Sequence, residues 1–232
     1  MVLTAITIPG LALLCLWLPA PAVAEEAPAT SESDGATFAI EHCGFCHGAD
    51  GNSAMARFPS LAGLTADYTL KQLRDFASGR RANDDGLMAS ILLPLRDADL
   101  KAAADYYAAQ TPRARKNADA AAAADASMGA RLYRDGRPGS RTMKLDSCAL
   151  CHGDGADMPY IVAGIGAQPE SYLKKQLEEF RSGRRRNDPN QVMQQIAIRL
   201  DPAEIAALSL FLAGRANPDA VGPGPVALGA GR

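Results

Sequence analysis

Two five-residue segments of the chain place two cysteines and a histidine at a fixed spacing. Cys43-Gly44-Phe45-Cys46-His47 and Cys148-Ala149-Leu150-Cys151-His152 share the pattern Cys-x-x-Cys-His. The cysteines of such a segment can add across the vinyl groups of a heme as thioethers, and the histidine then reaches the iron from one face. We therefore predict two covalently bound heme c groups, with the cysteines as attachment points and the histidines as axial iron ligands: Cys43, Cys46, His47, Cys148, Cys151 and His152.

Paired cysteines allow other chemistry, which the sequence disfavours. A thioredoxin-like redox pair needs a βαβ setting, and no convincing strand pattern occurs here. A zinc site does not need a histidine directly after each pair. In an exported protein the four cysteines could form two disulfides, whereas two thioether-bound hemes use the same four residues with none left over.

The second axial ligand determines what each heme can do. The chain has three histidines, and His42 directly precedes the first motif, so bis-histidine ligation of both hemes is excluded by number. Met88 and Met193 each follow their motif histidine by 41 residues. A thioether ligand favours ferrous iron and closes the iron to substrates, so these methionines predict outer-sphere electron transfer. The alternative is that they only fill the core.

The chain is a duplicated unit. The two motifs are 105 residues apart, and Met88 recurs as Met193 at the same offset. Two further stretches recur between motif and methionine: Tyr68 with Lys71-Gln72-Leu73 as Tyr172 with Lys175-Gln176-Leu177, and Ser78-Gly79-Arg80-Arg81 with Asn83-Asp84 as Ser182-Gly183-Arg184-Arg185 with Asn187-Asp188. Each half is thus predicted to hold one heme.

Each half is also predicted to be a small helical domain. The expected helices, from apolar spacing and capping residues, lie at 34–42, 65–78 and 97–110 in the first half and at 127–133, 169–182 and 202–212 in the second. Asp97 and Asp201 are placed as N-caps. Gly- and Pro-rich loops should follow the motifs at 48–63 and 153–167. An insertion at 136–144 in the second half is expected to be a surface loop near the heme edge.

The ends of the chain are expected to lie outside these domains. Met1 to Leu18 is almost wholly apolar, and Ala22-Val23-Ala24 then matches the small-x-small pattern that is typical of a secretory cleavage site. The apolar stretch is broken by Pro9 and Gly10 and ends at Pro19, so it is short for a membrane span, which needs about 20 apolar residues in a row; an uncleaved anchor is the alternative. The expected order is a signal peptide at 1–24, a flexible leader at 25–33, a first domain at 34–111, a linker at 112–126, a second domain at 127–214 and a disordered tail at 215–232. The protein is therefore expected to be exported, and its net charge of −2 gives no sign of nucleic acid binding.

Residues 34 to 214 resemble the diheme cytochrome c4 family. The resemblance is carried by Gly51-Asn52-Ser53-Ala54-Met55, Phe58-Pro59-Ser60-Leu61-Ala62-Gly63, Tyr68 with Lys71-Gln72-Leu73, the two Ser-Gly-Arg-Arg-x-Asn-Asp runs and the two methionines. It implies an all-α fold of two tandem class I cytochrome c domains related by a pseudo-twofold, with the hemes near the interface. It also implies periplasmic electron carriage from a quinol-oxidising complex to a terminal oxidase.

The same resemblance implies that Pro59 supports the proximal histidine through its carbonyl. The aligned stretch of the second half, 163–167, lacks a proline, and the nearest one is Pro159. The resemblance would give Pro159 this role, unless the loop is rerouted or another carbonyl holds His152.

The repeated arginines are the last candidate site residues: Arg80, Arg81, Arg184 and Arg185. Our hypothesis is that some of them neutralise heme propionates through charge-assisted hydrogen bonds. The alternative is a solvated basic turn.

Two functions follow from the sequence. The first is an electron carrier without substrate chemistry, whose partners are redox proteins: a quinol–cytochrome c reductase, a terminal oxidase or a dehydrogenase. Peripheral association with the membrane is compatible with this role. The second is a cytochrome subunit of a periplasmic dehydrogenase, or a heme enzyme with one open iron. An open iron requires that Met88 or Met193 does not bind.

Overall fold

The computed structural model describes residues 32–113, 127–139, 144–153 and 162–215. The expected signal peptide, most of the expected leader and linker, all but the first residue of the expected tail, and Pro159 lie outside these ranges. Within them the secondary structure is helical, apart from an isolated antiparallel bridge between Arg137 and Leu145 in the expected insertion. The expectation of an all-α fold is therefore confirmed. No helix in the described ranges is long and apolar enough to cross a membrane.

The helices follow the same order in both halves. The first half contains α1 (Glu32–His47), α2 (Ala66–Ala77), α3 (Leu87–Leu92) and α4 (Asp97–Ala108). The second contains α5 (Met128–Asp135), α6 (Ala149–His152), α7 (Glu170–Ser182), a 3₁₀ turn (Pro189–Gln191), α8 (Val192–Ala197) and α9 (Pro202–Gly214). The first helix runs on through the first motif to His47, whereas the sequence predicts its end at residue 42.

The short helices α3 and α8, which carry the two methionines, are absent from the sequence prediction. Each is held at its start by an aspartate of the repeat. The backbone N–H of Met88 donates to Asp84 at 2.6 Å, and that of Met193 donates to Asp188 at 2.7 Å. Six residues are too few for an apolar period to stand out, so only the capping carboxylates could have marked these helices.

The N-cap prediction is right for α9 and wrong for α4. Asp201 accepts from the backbone N–H of Glu204 at 2.8 Å, and Glu204 accepts in return from that of Asp201 at 2.9 Å, which is a capping box. The N-cap of α4 is Arg96. Asp97 instead accepts two hydrogen bonds from the Arg74 guanidinium, at 2.6 and 2.7 Å.

Each half has its own apolar core, formed where its first and last helices cross. In the first half α4 packs on α1 and α2, and in the second half α9 packs on α5 and α7. The crossing of α5 and α9 is so close that a Cβ atom on Gly129 would lie 2.2 Å from the carbonyl oxygen of Ala207. The motif-bearing segments are attached to these cores, because Cys43 and Cys148 both pack against them.

A buried polar layer joins the two halves. Arg81 donates to Gln176 Oε1 at 3.0 Å across the boundary, and Arg185 donates to Gln72 Oε1 at 3.2 Å in the reciprocal contact. Lys71 donates to the carbonyl oxygen of Asn187 at 2.7 Å, and Lys175 donates to that of Asn83. Each bond therefore has a counterpart in which the matching residues of the two halves exchange places, as a twofold relation between the halves requires.

Candidate heme sites

The first motif ends in a buried histidine whose orientation is fixed. His47 Nδ1 lies 2.9 Å from the carbonyl oxygen of Pro59. Because a carbonyl oxygen only accepts, the ring proton is on Nδ1 and the lone pair is on Nε2. Burial lowers the pKa of His47 below its ordinary value, although the bond to Pro59 raises it. The imidazole is therefore neutral, and its Nε2 is suited to bind a metal.

The second motif has the same arrangement with a different carbonyl. His152 Nδ1 donates to the carbonyl oxygen of Ala163 at 2.8 Å, and burial again lowers the pKa of the histidine. Ala163 aligns with Pro59, so the carbonyl that holds His152 belongs to this alanine and not to Pro159. Because the accepting oxygen belongs to the backbone, any residue can supply it, and the loop needs no proline for this contact.

The first cysteine of each motif is in a setting that favours uncharged sulfur. Burial raises the pKa of Cys43 to about 11 and that of Cys148 to about 11. Redox pairs and zinc sites both use thiolates, whereas a thioether sulfur carries no charge. Cys43, Cys46, Cys148 and Cys151 are all free of disulfide bonds. The part of the chain that the structure describes contains no group of three or more His, Cys, Asp or Glu side chains that could hold a metal ion.

A single buried side-chain atom, among those the structure describes, lacks a hydrogen-bond partner: Thr69 Oγ1 on α2. One turn further along α2, Leu73 packs against the same apolar cluster as Met88. Buried hydroxyls are normally satisfied, so an orphaned one fits a site that a bound group with polar substituents completes. Heme has both an apolar ring and carboxylates, and the first half fits it in this respect. The second half has Leu173 at the matching position, packed in its core.

The two methionines have matching positions at the start of α3 and α8, and both are partly buried. Met88 packs against the cluster formed by Phe76, Leu92 and Leu100. Axial ligation by Met88 and Met193 stays a prediction.

The structure separates the repeated arginines into two kinds. Arg81 and Arg185 are buried, and each lies 4.4 Å from the centroid of a phenylalanine ring, so a solvated turn is wrong for these two. Arg80 is 64% exposed and pairs with Asp75, while Arg184 is 70% exposed and pairs with Glu179. Binding of heme propionates by any of the four stays a prediction.

Sequence reasoning missed the partners of these arginines. The glutamines at the centre of the layer were visible as the repeated Lys-Gln-Leu, but nothing in that repeat indicates burial. The buried carboxylates, Asp75 and Glu179, differ in type between the halves and therefore did not stand out. The Tyr172 phenol also belongs to this layer. Burial favours its neutral form, but Arg81 and Arg185 lower its pKa below the ordinary value.

The chain is similar to known proteins in both sequence and structure. The family model described as Cytochrome c matches residues 32–125. A cytochrome c4 from Thiocapsa roseopersicina is 40% identical over 175 residues, which cover 74% of this chain and 86% of the relative. A thiosulfate dehydrogenase electron acceptor from Stutzerimonas stutzeri is 38% identical, covering 77% of this chain and 81% of the relative. The crystal structure of reduced recombinant cytochrome c4 from Pseudomonas stutzeri superposes with a TM-score of 0.68 at 32% identity, covering 81% of this chain and 100% of that chain.

Proposed function

This chain belongs to the cytochrome c4 family of diheme electron carriers, and we propose that it moves single electrons through the periplasm from a quinol-oxidising complex to a terminal oxidase. Two tandem class I cytochrome c domains and two covalently bound heme c groups, both expected from the sequence, follow from that membership. The respiratory partners, the periplasmic location and the export signal at 1–24 are part of the proposal.

The ligand roles belong to the same proposal. The four motif cysteines would attach the hemes, and His47 with Met88 and His152 with Met193 would bind the two irons. When bound, heme c supplies an iron that changes between Fe(II) and Fe(III) without binding substrate. The residues of the chain orient each histidine through a backbone carbonyl and supply a methionine thioether as the second ligand of each iron.

The observation that carries this proposal is the repeated geometry of the two histidines. In both halves a neutral imidazole donates through Nδ1 to a backbone oxygen, at 2.9 and 2.8 Å, and directs its lone pair to Nε2. In both halves the methionine follows 41 residues later. Two heme irons whose ligand positions are all filled by the protein cannot bind substrate, and such irons suit electron transfer.

Ligation is tested by the mass and the spectrum of the ferric holoprotein. We expect two hemes by mass and two equivalents of the absorption band that arises from methionine bound to ferric heme. Met88→Ala and Met193→Ala should each remove one equivalent, whereas Met55→Ala, at an exposed methionine, should remove none. One equivalent or none in the wild-type protein, together with binding of carbon monoxide to the ferrous form, would instead favour a heme enzyme with an open iron.

A second candidate function is an electron acceptor for a periplasmic dehydrogenase. It is favoured by the relative from Stutzerimonas stutzeri, which is named a thiosulfate dehydrogenase electron acceptor. The two functions predict different donors. Stopped-flow reduction of the oxidised holoprotein should be fast with a purified quinol-oxidising complex under the first proposal. Fast reduction by thiosulfate dehydrogenase with thiosulfate, and slow reduction by the quinol-oxidising complex, would replace it with the second.

A further inference from the structure

Gln168 of the second half is bound to the backbone of the first. It precedes α7 and is 5% exposed. The backbone N–H of Ser60 donates to Gln168 Oε1 at 2.9 Å, and Gln168 Nε2 donates to the carbonyl oxygen of Ser60 at 2.8 Å. The side-chain amide thus makes two buried hydrogen bonds to one residue, across a separation of 108 positions in the chain.

The first of these bonds continues to the histidine of the first motif. The N–H of Ser60 and the carbonyl of Pro59 belong to the same peptide group. That group is trans, so its N–H and C=O point in opposite directions. Gln168 therefore contacts one end of the peptide and His47 Nδ1 the other, each at 2.9 Å. The result is a continuous chain of hydrogen bonds from the histidine ring to the other half of the molecule.

Hydrogen bonds in series polarise one another in a buried setting. The bond from Ser60 to Gln168 makes the Pro59 oxygen more negative, and this oxygen then pulls more strongly on the Nδ1 proton of His47. A stronger bond at Nδ1 makes Nε2 a more basic ligand. A more basic ligand stabilises ferric over ferrous iron and lowers the reduction potential.

We propose that Gln168 is a positioning residue through which the second half tunes the histidine of the first heme. The inference rests on the proposed ligand role of His47. Nothing equivalent acts in the other direction within the described residues. The residue that matches Gln168 is Leu64, whose side chain has no hydrogen-bonding atom, and among the bonds between described residues none joins a side chain of the first half to the Ala163–Gly164 peptide. The second half therefore tunes the histidine of the first heme, but the first half does not tune that of the second, although the proposed ligands of the two hemes are the same.

Gln168→Met keeps the length of the side chain and removes the amide. We expect it to raise the reduction potential of the first heme, to leave that of the second unchanged and to speed exchange of the Nδ1 proton of His47 in the reduced holoprotein. Both can be followed by NMR, which separates the two hemes during a potentiometric titration. Ser171→Ala is the matched control, because Ser171 also donates across the boundary, to the carbonyl oxygen of Ala56 at 2.7 Å, without touching the Pro59–Ser60 peptide.

The inference is overturned if Gln168→Met leaves both the first potential and the proton exchange unchanged. It is also overturned if Gln168→Met and Ser171→Ala shift both hemes alike, because Gln168 would then only hold the halves together. Failure of the proposed ligation is distinguishable, since the wild-type protein would lack the signals of an iron-bound His47 before any variant is compared.

Discussion

Substitution of Arg81 should destabilise the protein much more than substitution of Arg80, although the two are neighbours in one repeated motif. The buried guanidinium of Arg81 donates to side-chain oxygens at 2.8 to 3.1 Å in both halves, on Gln72, Asn83, Tyr172 and Gln176. It also lies 4.4 Å from the centroid of the Phe76 ring. Arg80 is mostly exposed and donates to Asp75 at 2.8 Å.

The difference in unfolding free energy between the two variants depends on which buried groups lose a hydrogen-bond partner. Arg81→Gln leaves Asn83 Oδ1 and the Tyr172 hydroxyl without this donor, at about 1–3 kcal/mol each for buried groups. The ring contact adds about 1 kcal/mol. Removing a buried cation relieves its desolvation and offsets part of the loss, so we expect a net cost of about 3 kcal/mol. Arg80→Gln should cost about 0.2–1 kcal/mol, because the Arg80 side chain is mostly exposed and the buried Asp75 carboxylate keeps its bonds from Lys71 and Asn187.

The assay is guanidinium chloride unfolding of the oxidised holoprotein, followed by circular dichroism. Arg185→Gln and Arg184→Gln provide a second, matched pair from the other half, and the buried member should again be the costly one. A double-mutant cycle of Arg81→Gln with Tyr172→Phe should give a coupling energy of about 1 kcal/mol, because the two side chains bond across the boundary. Equal losses for Arg80→Gln and Arg81→Gln, or a cycle without coupling, would refute the reasoning.

Three further predictions concern single contacts. Burial raises the pKa of Asp75, but hydrogen bonds from Lys71, Asn187 and Arg80 outweigh it and hold the pKa below its ordinary value. The stabilisation that these bonds give is therefore complete above that ordinary value and is lost as pH falls through the lower folded-state pKa. Asp75→Asn should flatten the acid side of the profile of unfolding free energy against pH. Gly129→Ala should cost about 1–3 kcal/mol of unfolding free energy, because its Cβ would press on the Ala207 backbone. Gly35→Ala, where the new atom would lie 3.3 Å from Ala102 Cβ, should cost less, and equal costs in thermal melts would contradict this. Tyr133→Phe removes a donor to the carbonyl oxygen of His152 at 2.8 Å and should cost about 1 kcal/mol; an unchanged melting temperature would contradict it.

The sequence predicted those parts of the molecule that depend on local spacing. The motifs needed only five neighbouring residues each, and the longer helices α2, α4, α7 and α9 followed from apolar periodicity and capping residues. The fold also followed from the duplication, because each half repeats the same order of motif, helix and methionine. Local spacing was sufficient wherever the contacts that decide the structure lie within one or two helical turns.

The rest depended on contacts that spacing does not encode. Arg80 and Arg81 look alike in the sequence, and only the docking of the second half decides which of them is buried. The support of His152 by Ala163 was hidden because a backbone oxygen leaves no trace in residue type. The contact between Ser60 and Gln168 has no counterpart in the repeat, because Leu64 stands where Gln168 would be matched, so comparing the halves could not reveal it.

The interface contains two classes of contact with different consequences for the halves. Bonds such as Arg81 to Gln176 and Arg185 to Gln72 occur in reciprocal pairs, and a pair of this kind affects both halves alike. The bond from Ser60 to Gln168 occurs once, since its counterpart position is Leu64. A contact of the second class can make two similar halves differ, and among the described residues this contact reaches the peptide that holds a motif histidine. The reciprocal layer fixes the halves relative to each other, and the unpaired contact can then act on one histidine alone.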